Sequence, residues 1–321
     1  METPQFRVVR LSVLLLLALA APFAFYPIFV MKALCFGLFA AAFNLLIGFG
    51  GLLSFGHAAF MGSASYITAY TVKMWGFPPL VGILAGTAVA AALGTVFGWL
   101  AIRRKGIYFA MVTLALSQMV YFFALEAKFT GGEDGIQAVP RGNLFGLIDL
   151  NQPLAMYYLV LVIFLIGFGI VYRAIHSPFG EVLKAIRDNE QRAISLGYNT
   201  DRYKLLAFIL SATLAGLAGA TKALVFQFAS LTDVTWQMSG DVVLMTLVGG
   251  LGTIWGPVAG AFISVTMENY LAQFGSWVTV IQGVIFVVCV LLFRRGVVGE
   301  INYLIARRRG NPPLAKAAAG D

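Results

Sequence analysis

The chain reads as an all-α, polytopic membrane protein of about ten transmembrane helices. Three observations point there. Apolar residues make up 60% of the sequence and charged residues only 11%. Mean hydropathy is +0.86. Apolar runs of roughly 20 residues, the length a helix needs to cross a hydrocarbon core, recur between polar stretches. A water-soluble domain carries about twice that share of charge. The net charge of +8 would suit a nucleic-acid binder, but the basic residues gather at the ends of apolar runs. The balance is topological, and no nucleic-acid partner follows.

Arg7 and Arg10 precede an apolar run from Leu11 whose Ala18-Leu19-Ala20 ending imitates a secretory signal peptide. The run continues past Pro22 to Met31, which favours a retained first helix. Further spans are expected at 32–49, 56–74, 80–102, 107–125, 153–172, 204–229, 240–254, 257–274 and 277–293. The weakest is 240–254, whose apolar core is short and Gly-rich, as a re-entrant or broken helix would be. Parity argues that it crosses. With a cytoplasmic N-terminus, 17 of the 22 Lys and Arg fall in inner loops. Lys32, Lys73, Lys128 and Arg141 fall outside and Lys222 within the membrane, which sets both termini on the cytoplasmic side. The transmembrane domain then covers 1–293, with an external loop at 126–152 and a cytoplasmic one at 173–204. A basic tail, 294–321, carries an amphipathic piece at 297–305 and Arg307 to Arg309, and is expected to be partly disordered.

The cytoplasmic loop holds the longest soluble-looking helical stretch, from Ser177 to Gly197. Pro178 suits a first helical position behind a Ser177 cap. Phe179, Val182, Leu183, Ile186, Ala193 and Ile194 recur at helical spacing. Asp188 with Gln191 reads as an internal cap and Gly197 as a C-terminal stop, giving two short amphipathic helices. Glu181, Lys184, Arg187, Asp188, Glu190 and Arg192 are mixed in sign, which argues against a polybasic lipid anchor. Such an element lies on its own membrane surface, docks into a groove on another protein, or is a solvated connector.

Two turns on the cytoplasmic side echo each other: Gly50-Gly51-Leu52-Leu53-Ser54-Phe55-Gly56 and Gly249-Gly250-Leu251-Gly252-Thr253-Ile254-Trp255-Gly256. Paired glycines permit tight turns and close helix approach; the echo also fits an internal duplication. No phosphate-binding loop, His-Glu-x-x-His or Gly-x-Ser-x-Gly pattern occurs, so neither catalytic nor metal-binding residues are assigned and no cofactor is expected in this chain. Cys35 and Cys289 fall in apolar spans. Candidate pathway residues are the polar groups inside spans: Asn44, His57, Gln118, Lys222, Glu268 and Asn269. Lys222 and Glu268 could pair across two helices, or Lys222 could snorkel. His57, on a Gly- and Ala-rich helix start, suits hydrogen-bonded packing.

Several blocks together resemble the branched-chain amino acid type of ABC-transporter permease, of the LivM kind. They are Gly48 to Phe60, Tyr108 to Leu114, Thr130 to Gly135, Ser177 to Gly180, Ala185-Ile186-Arg187-Asp188-Asn189-Glu190, Ser211 to Ala220, Gly249 to Thr253 and Gly256 to Gly260. The resemblance implies a bacterial inner-membrane importer containing this permease, a second homologous permease, two ATPase subunits that bind ATP and Mg, and a periplasmic substrate-binding protein. It implies that the loop ending near Gly197 is a coupling helix seated in an ATPase cleft. Glu181, Arg187, Asp188 and Glu190 would then supply polar contacts while Leu183, Ile186 and Ile194 pack, and Ala185, Asn189 and Gly197 belong to the same coupling set. Relatives that carry urea, amides or aromatic and other organic acids share these blocks, so the solute stays open. The alternative is an ion-coupled carrier acting alone, with Glu268 as its ion site.

Overall fold

A computed structural model describes residues 16–144, 148–292 and 296–300, and among them nearly all of the chain is helical. Helix α1 (16–24) breaks at Phe25 and Tyr26, and α2 (Pro27–Asn44) runs on into one π-helical turn, Leu45–Phe49. This break precedes the expected boundary at residue 32. Tyr26 is extended and Pro27 opens the helix, where its missing N–H costs nothing. Lys32 therefore lies more than one turn inside α2 and not in a loop. The other helices are α3 (His57–Met74), α4 (Pro79–Ala101), α5 (Ile107–Glu126), α6 (Pro153–Ile175), α7 (Pro178–Asp188), α8 (Glu190–Ser195), α9 (Thr200–Phe226), α10 (Trp236–Gly249), α11 (Gly256–Leu271) and α12 (Val278–Leu292). Helices α2 with its π turn, α4, α5, α6 and α9 are long and apolar enough to span a bilayer. Residues 1–15 and 301–321, which include the start of the first apolar run and Arg307 to Arg309, lie outside the described residues.

The centre is built from α2, α3 and α9, and small residues set their separation. A Cβ at Gly219 of α9 would overlap the Met61 carbonyl oxygen of α3, and one at Gly216 would overlap Ala90 of α4. Backbones thus approach closely without a large side chain between them, as dispersion-driven packing in lipid requires. Around this centre α4, α5, α6 and α12 turn large apolar side chains outward, among them Leu84, Met119, Phe122, Ile166 and Val284. That apolar periphery is what a bilayer solvates.

One end of the bundle is basic, carrying the 103–105 and 173–204 stretches; the opposite end holds the loop between α5 and α6. That loop contains a small hairpin, β1 (Asn143–Leu144) with β2 (Ile148–Asp149), and it grips the end of α9. Ile136 and Ala229 exchange backbone hydrogen bonds at 2.9 and 3.0 Å. Arg141 donates to the carbonyls of Leu224 and Val225 at 3.3 and 2.7 Å, satisfying acceptors that a helix end leaves free.

From Ala229 the chain turns inward through a 3-10 turn, Leu231–Val234, packed on Gly62 of α3. Helix α10 then carries it to the basic end. The weak span expected at 240–254 is thus a helix of 14 residues beginning at Trp236, about 21 Å long at 1.5 Å per residue, with an unwound approach. Helix α9 likewise starts before its expected position, because the Asn199 side chain accepts from Arg202 N at 3.2 Å and caps it at Thr200.

The close approach at Gly219 predicts that Gly219→Ala lowers stability by about 1–3 kcal/mol through overpacking, read as a lower melting temperature in detergent. Gly169→Ala, with open space around it, should leave the melting temperature unchanged.

Candidate functional site

The loop from Ser177 to Gly197 is seated on the basic end by its own apolar face. Helix α7 starts with Pro178 at its first turn, and the Ser177 hydroxyl donates back to the Ala174 carbonyl at 2.7 Å. Leu183 and Ile186 are 0% and 3% exposed, each worth roughly 1.5–3 kcal/mol of burial. Leu183 packs over Gly50 and the Arg187 stem lies across Gly51. Gly51 has φ 70°, and a Cβ there would come within 2.7 Å of Arg187 Cγ, so both the backbone and the contact require glycine.

Arg187 joins three pieces of chain. Its Nη1 donates to the Gly48 carbonyl in the π turn of α2, a turn type that recurs at functional sites. Its Nη2 donates to Asp188 Oδ1 at 3.1 Å. Next to it, Asn44 Nδ2 donates to the Thr253 carbonyl at 2.9 Å and Asn44 Oδ1 accepts from Gly252 N at 3.1 Å. The second glycine-rich turn therefore packs against the π turn that leads into the first, and Arg187 lies along both turns, over Gly51 and beside Gly252. Gly249 and Gly256 pack backbone to backbone within the second turn. The start of α3 behind the first turn is satisfied from three sources. Phe55 N donates to Thr113 of α5 at 3.2 Å, Gly56 N to Ser54 at 3.2 Å and Ala58 N to Ser239 of α10 at 3.0 Å.

The second helix differs in detail from its expectation. Its cap is Asn189, whose side chain accepts from Arg192 N at 2.9 Å, because Asn189 is the extended residue between the two helices; Asp188 turns to Arg187 instead. Glu190 points inward, 2.6 Å from Lys204 and 3.1 Å from Lys105. Burial pulls its carboxyl upward, but hydrogen bonds from Lys204 and Lys105 outweigh that and hold it below the usual range. Gly197, with φ 87°, ends α8. Outward-facing groups are Glu181, Ala185, Asp188, Ile194, Leu196 and Tyr198, and Leu196 is 70% exposed. The expected face divides accordingly: Leu183 and Ile186 pack within this chain, while Ile194 faces out.

Among the pathway candidates, Asn44 clamps the turns and His57 is fully buried. His57 Nε2 lies 2.8 Å from Ser211 Oγ, and its ring stacks edge-on to Phe43 at 4.9 Å. Gln118 is half-buried on α5, and Asn269 is exposed on α11. Lys222 and Glu268 do not meet. Lys222 pairs with Asp233 in the 3-10 turn, and Glu268 pairs with Lys32 at 2.8 Å. Neither partner is marked by local sequence. Asp233 stands in a stretch that reads as a loop, and Lys32 stands at an assumed span boundary; Pro27 was the signal that placed it inside a helix.

Residues 27–290 match the family model described as branched-chain amino acid transport system, permease component. The high-affinity branched-chain amino acid transport system permease protein LivM of Escherichia coli K12 is 28% identical over 276 residues, covering 77% of this chain and 64% of that protein. LivM of Salmonella typhimurium matches to the same extent, so the chain spans somewhat under two thirds of these relatives. The fructose import permease protein FrcC of Rhizobium meliloti is 27% identical over 273 residues, 80% of this chain and 74% of that protein. No solved structure gives a significant match.

Because Glu190 is held below the usual carboxylate range, its tether is intact above the ordinary Glu pKa. It is lost only as pH falls through the depressed value. Hydrogen exchange at residues 189–200 should stay slow in the wild type as pH is lowered to that range. Glu190→Gln should speed it already at neutral pH.

Proposed function

The chain belongs to the branched-chain amino acid transport system permease family, and from that premise we propose that it is a transmembrane subunit of an ATP-driven importer. The importer sits in a bacterial inner membrane, with both termini of this chain in the cytoplasm. Its solutes are branched-chain amino acids or a related small polar organic molecule such as urea, an amide or an aromatic or organic acid. ATP hydrolysis belongs to two separate ATPase subunits, substrate capture to a periplasmic binding protein, and a second homologous permease completes the pathway.

The observation that carries this reading is the seating of α7 and α8. A short amphipathic pair buries Leu183 and Ile186 in its own bundle and leaves Ile194, Leu196 and Tyr198 exposed beside Glu181 and Asp188. An apolar patch rimmed by charge on a membrane protein's basic end suits a protein groove better than lipid headgroups. In the proposed cycle ATP closes the ATPase dimer and the docked pair moves with it. Arg187 passes the displacement to the seam of the glycine turns, and the two permeases rock about the pathway between them.

The reading is tested by purifying the chain from its native membrane in mild detergent. An ATPase, a second permease and a periplasmic binding protein should accompany it. Ile194→Asp with Leu196→Asp should release the ATPase and leave the second permease bound. Arg187→Ala, in contrast, should keep the ATPase bound and its hydrolysis running while uptake falls about tenfold or more, the effect of losing a charged hydrogen bond. Uphill uptake by the isolated chain, abolished by an uncoupler, would favour an ion-coupled carrier instead.

A further inference from the structure

Five charged side chains gather where α2, α9, α10, α11 and the 3-10 turn before α10 come together, and they form one strip. At one end Lys32 of α2 pairs with Glu268 of α11 at 2.8 Å. At the other, Lys222 of α9 pairs with Asp233. The two ammonium groups flank the same ring: Lys32 is 6.0 Å and Lys222 5.6 Å from the Phe36 centroid. The fifth, Asp241, is half-buried on α10 and within electrostatic reach of Glu268. Helices α10 and α11 run antiparallel with the Met245 carbonyl against Gly260. One turn along α10 then puts Asp241 roughly 6 Å from that contact, well inside the bundle's length.

This strip is unlike the rest of the surface. Ionisable groups in a bilayer face the bundle interior, water or another protein, because lipid tails offer them nothing. The Lys32–Glu268 pair is 25% and 50% exposed on this chain alone, whereas the described side chains exposed midway along α6 and α12 are apolar, among them Ile166, Ile170, Val284 and Val287. Charge is also unbalanced: two lysines face three carboxylates. Asp241 has no ion-pair partner among the described residues. Two more polar atoms in the same region, Asp233 Oδ2 and Ser264 Oγ, are buried without a hydrogen-bond partner.

We propose that the α2–α10–α11 face is this chain's wall of the solute pathway, covered by the second permease, and that Asp241 receives the ammonium group of a zwitterionic solute. Lys32, partly solvated and already held by a carboxylate, offers the complementary cation for the solute's carboxylate by exchange with Glu268. A sugar supplies neither charge, so this wall suits amino acids better than the solutes named for the fructose permease. Lys222 and Asp233, nearly buried, hold the unwound approach to α10 in place beside it. This proposal rests on the importer reading.

The test uses the assembled importer in lipid, with Cys35→Ala and Cys289→Ala as background. A membrane-impermeant charged thiol reagent should modify Asp241→Cys about tenfold faster than Ile166→Cys on the outer face of α6, since access governs thiol reaction. Asp241→Asn should lower ATP-driven leucine uptake about tenfold, as expected for a lost charge-assisted contact, and Asp241→Glu should restore part of it. Equal labelling at the two positions, or uptake by Asp241→Asn within about twofold of wild type, would overturn the proposal. If the wild-type complex takes up urea, an amide or an organic acid but no zwitterionic amino acid, this proposal falls and the importer reading stands; if it shows ATP-dependent uptake of none of these solutes, the importer reading falls, while the labelling still reports whether this face meets water.

Discussion

The Arg187 guanidinium against the Gly48 carbonyl is the contact on which the basic end depends. Gly48 belongs to a π turn, where the regular helical hydrogen-bond pattern shifts and a carbonyl becomes available to an outside donor. The donor can reach it only because Gly51 has no side chain and adopts a left-handed backbone. Asn44 fastens the second glycine-rich turn to the same place through two hydrogen bonds. Three segments distant in sequence, around 44–51, 187 and 252, thus share one junction. A displacement of α7 cannot be absorbed by α7 alone, since Leu183 and Ile186 are packed in the bundle and Glu190 is bound to Lys105 and Lys204.

Behind that junction the bundle is stiff where backbones touch and polar where helices give way. Small residues bring α3, α4 and α9 into close contact around Gly216 and Gly219. The α10 side is different: a short helix with an unwound approach, an ion pair at its foot and a carboxylate on its flank. Non-helical backbone at membrane depth is tolerated only where protein or water satisfies it. Here Ile136, Lys222 and Gly62 supply the surroundings of that segment. The same asymmetry separates a rigid core from a face suited to a moving solute.

Much of this architecture was legible in the sequence, because lipid imposes a simple demand on composition. The runs that became α4, α5 and α6 are unbroken and apolar, and their bounds shift little. Where polar residues dilute an apolar run the boundaries are hidden: Asp233, Ser239 and Asp241 mask the start of α10, and Lys32 looks like a helix boundary although Pro27 is the one. The amphipathic loop was visible from its spacing, with Pro178 and Gly197 marking its limits. Spacing identifies a buried face without saying which protein buries it, so Leu183, Ile186 and Ile194 looked equivalent although only the first two face this chain's bundle. Ion-pair partners were the least legible feature. Lys222 and Asp233 are 11 residues apart and meet only because the chain reverses after Gln227, whose left-handed conformation no local motif announces.

The proposed rigid transmission through the Arg187 seam is tested most directly by spin-label distances within the proposed importer complex. Labels at Lys184→Cys on α7 and Leu251→Cys in the second glycine turn report on the junction itself. With and without ATP their separation should be the same, while each moves relative to a label on the second permease. A separation between 184 and 251 that changes with nucleotide would mean that α7 slides over the turns, and the lever described here would not exist.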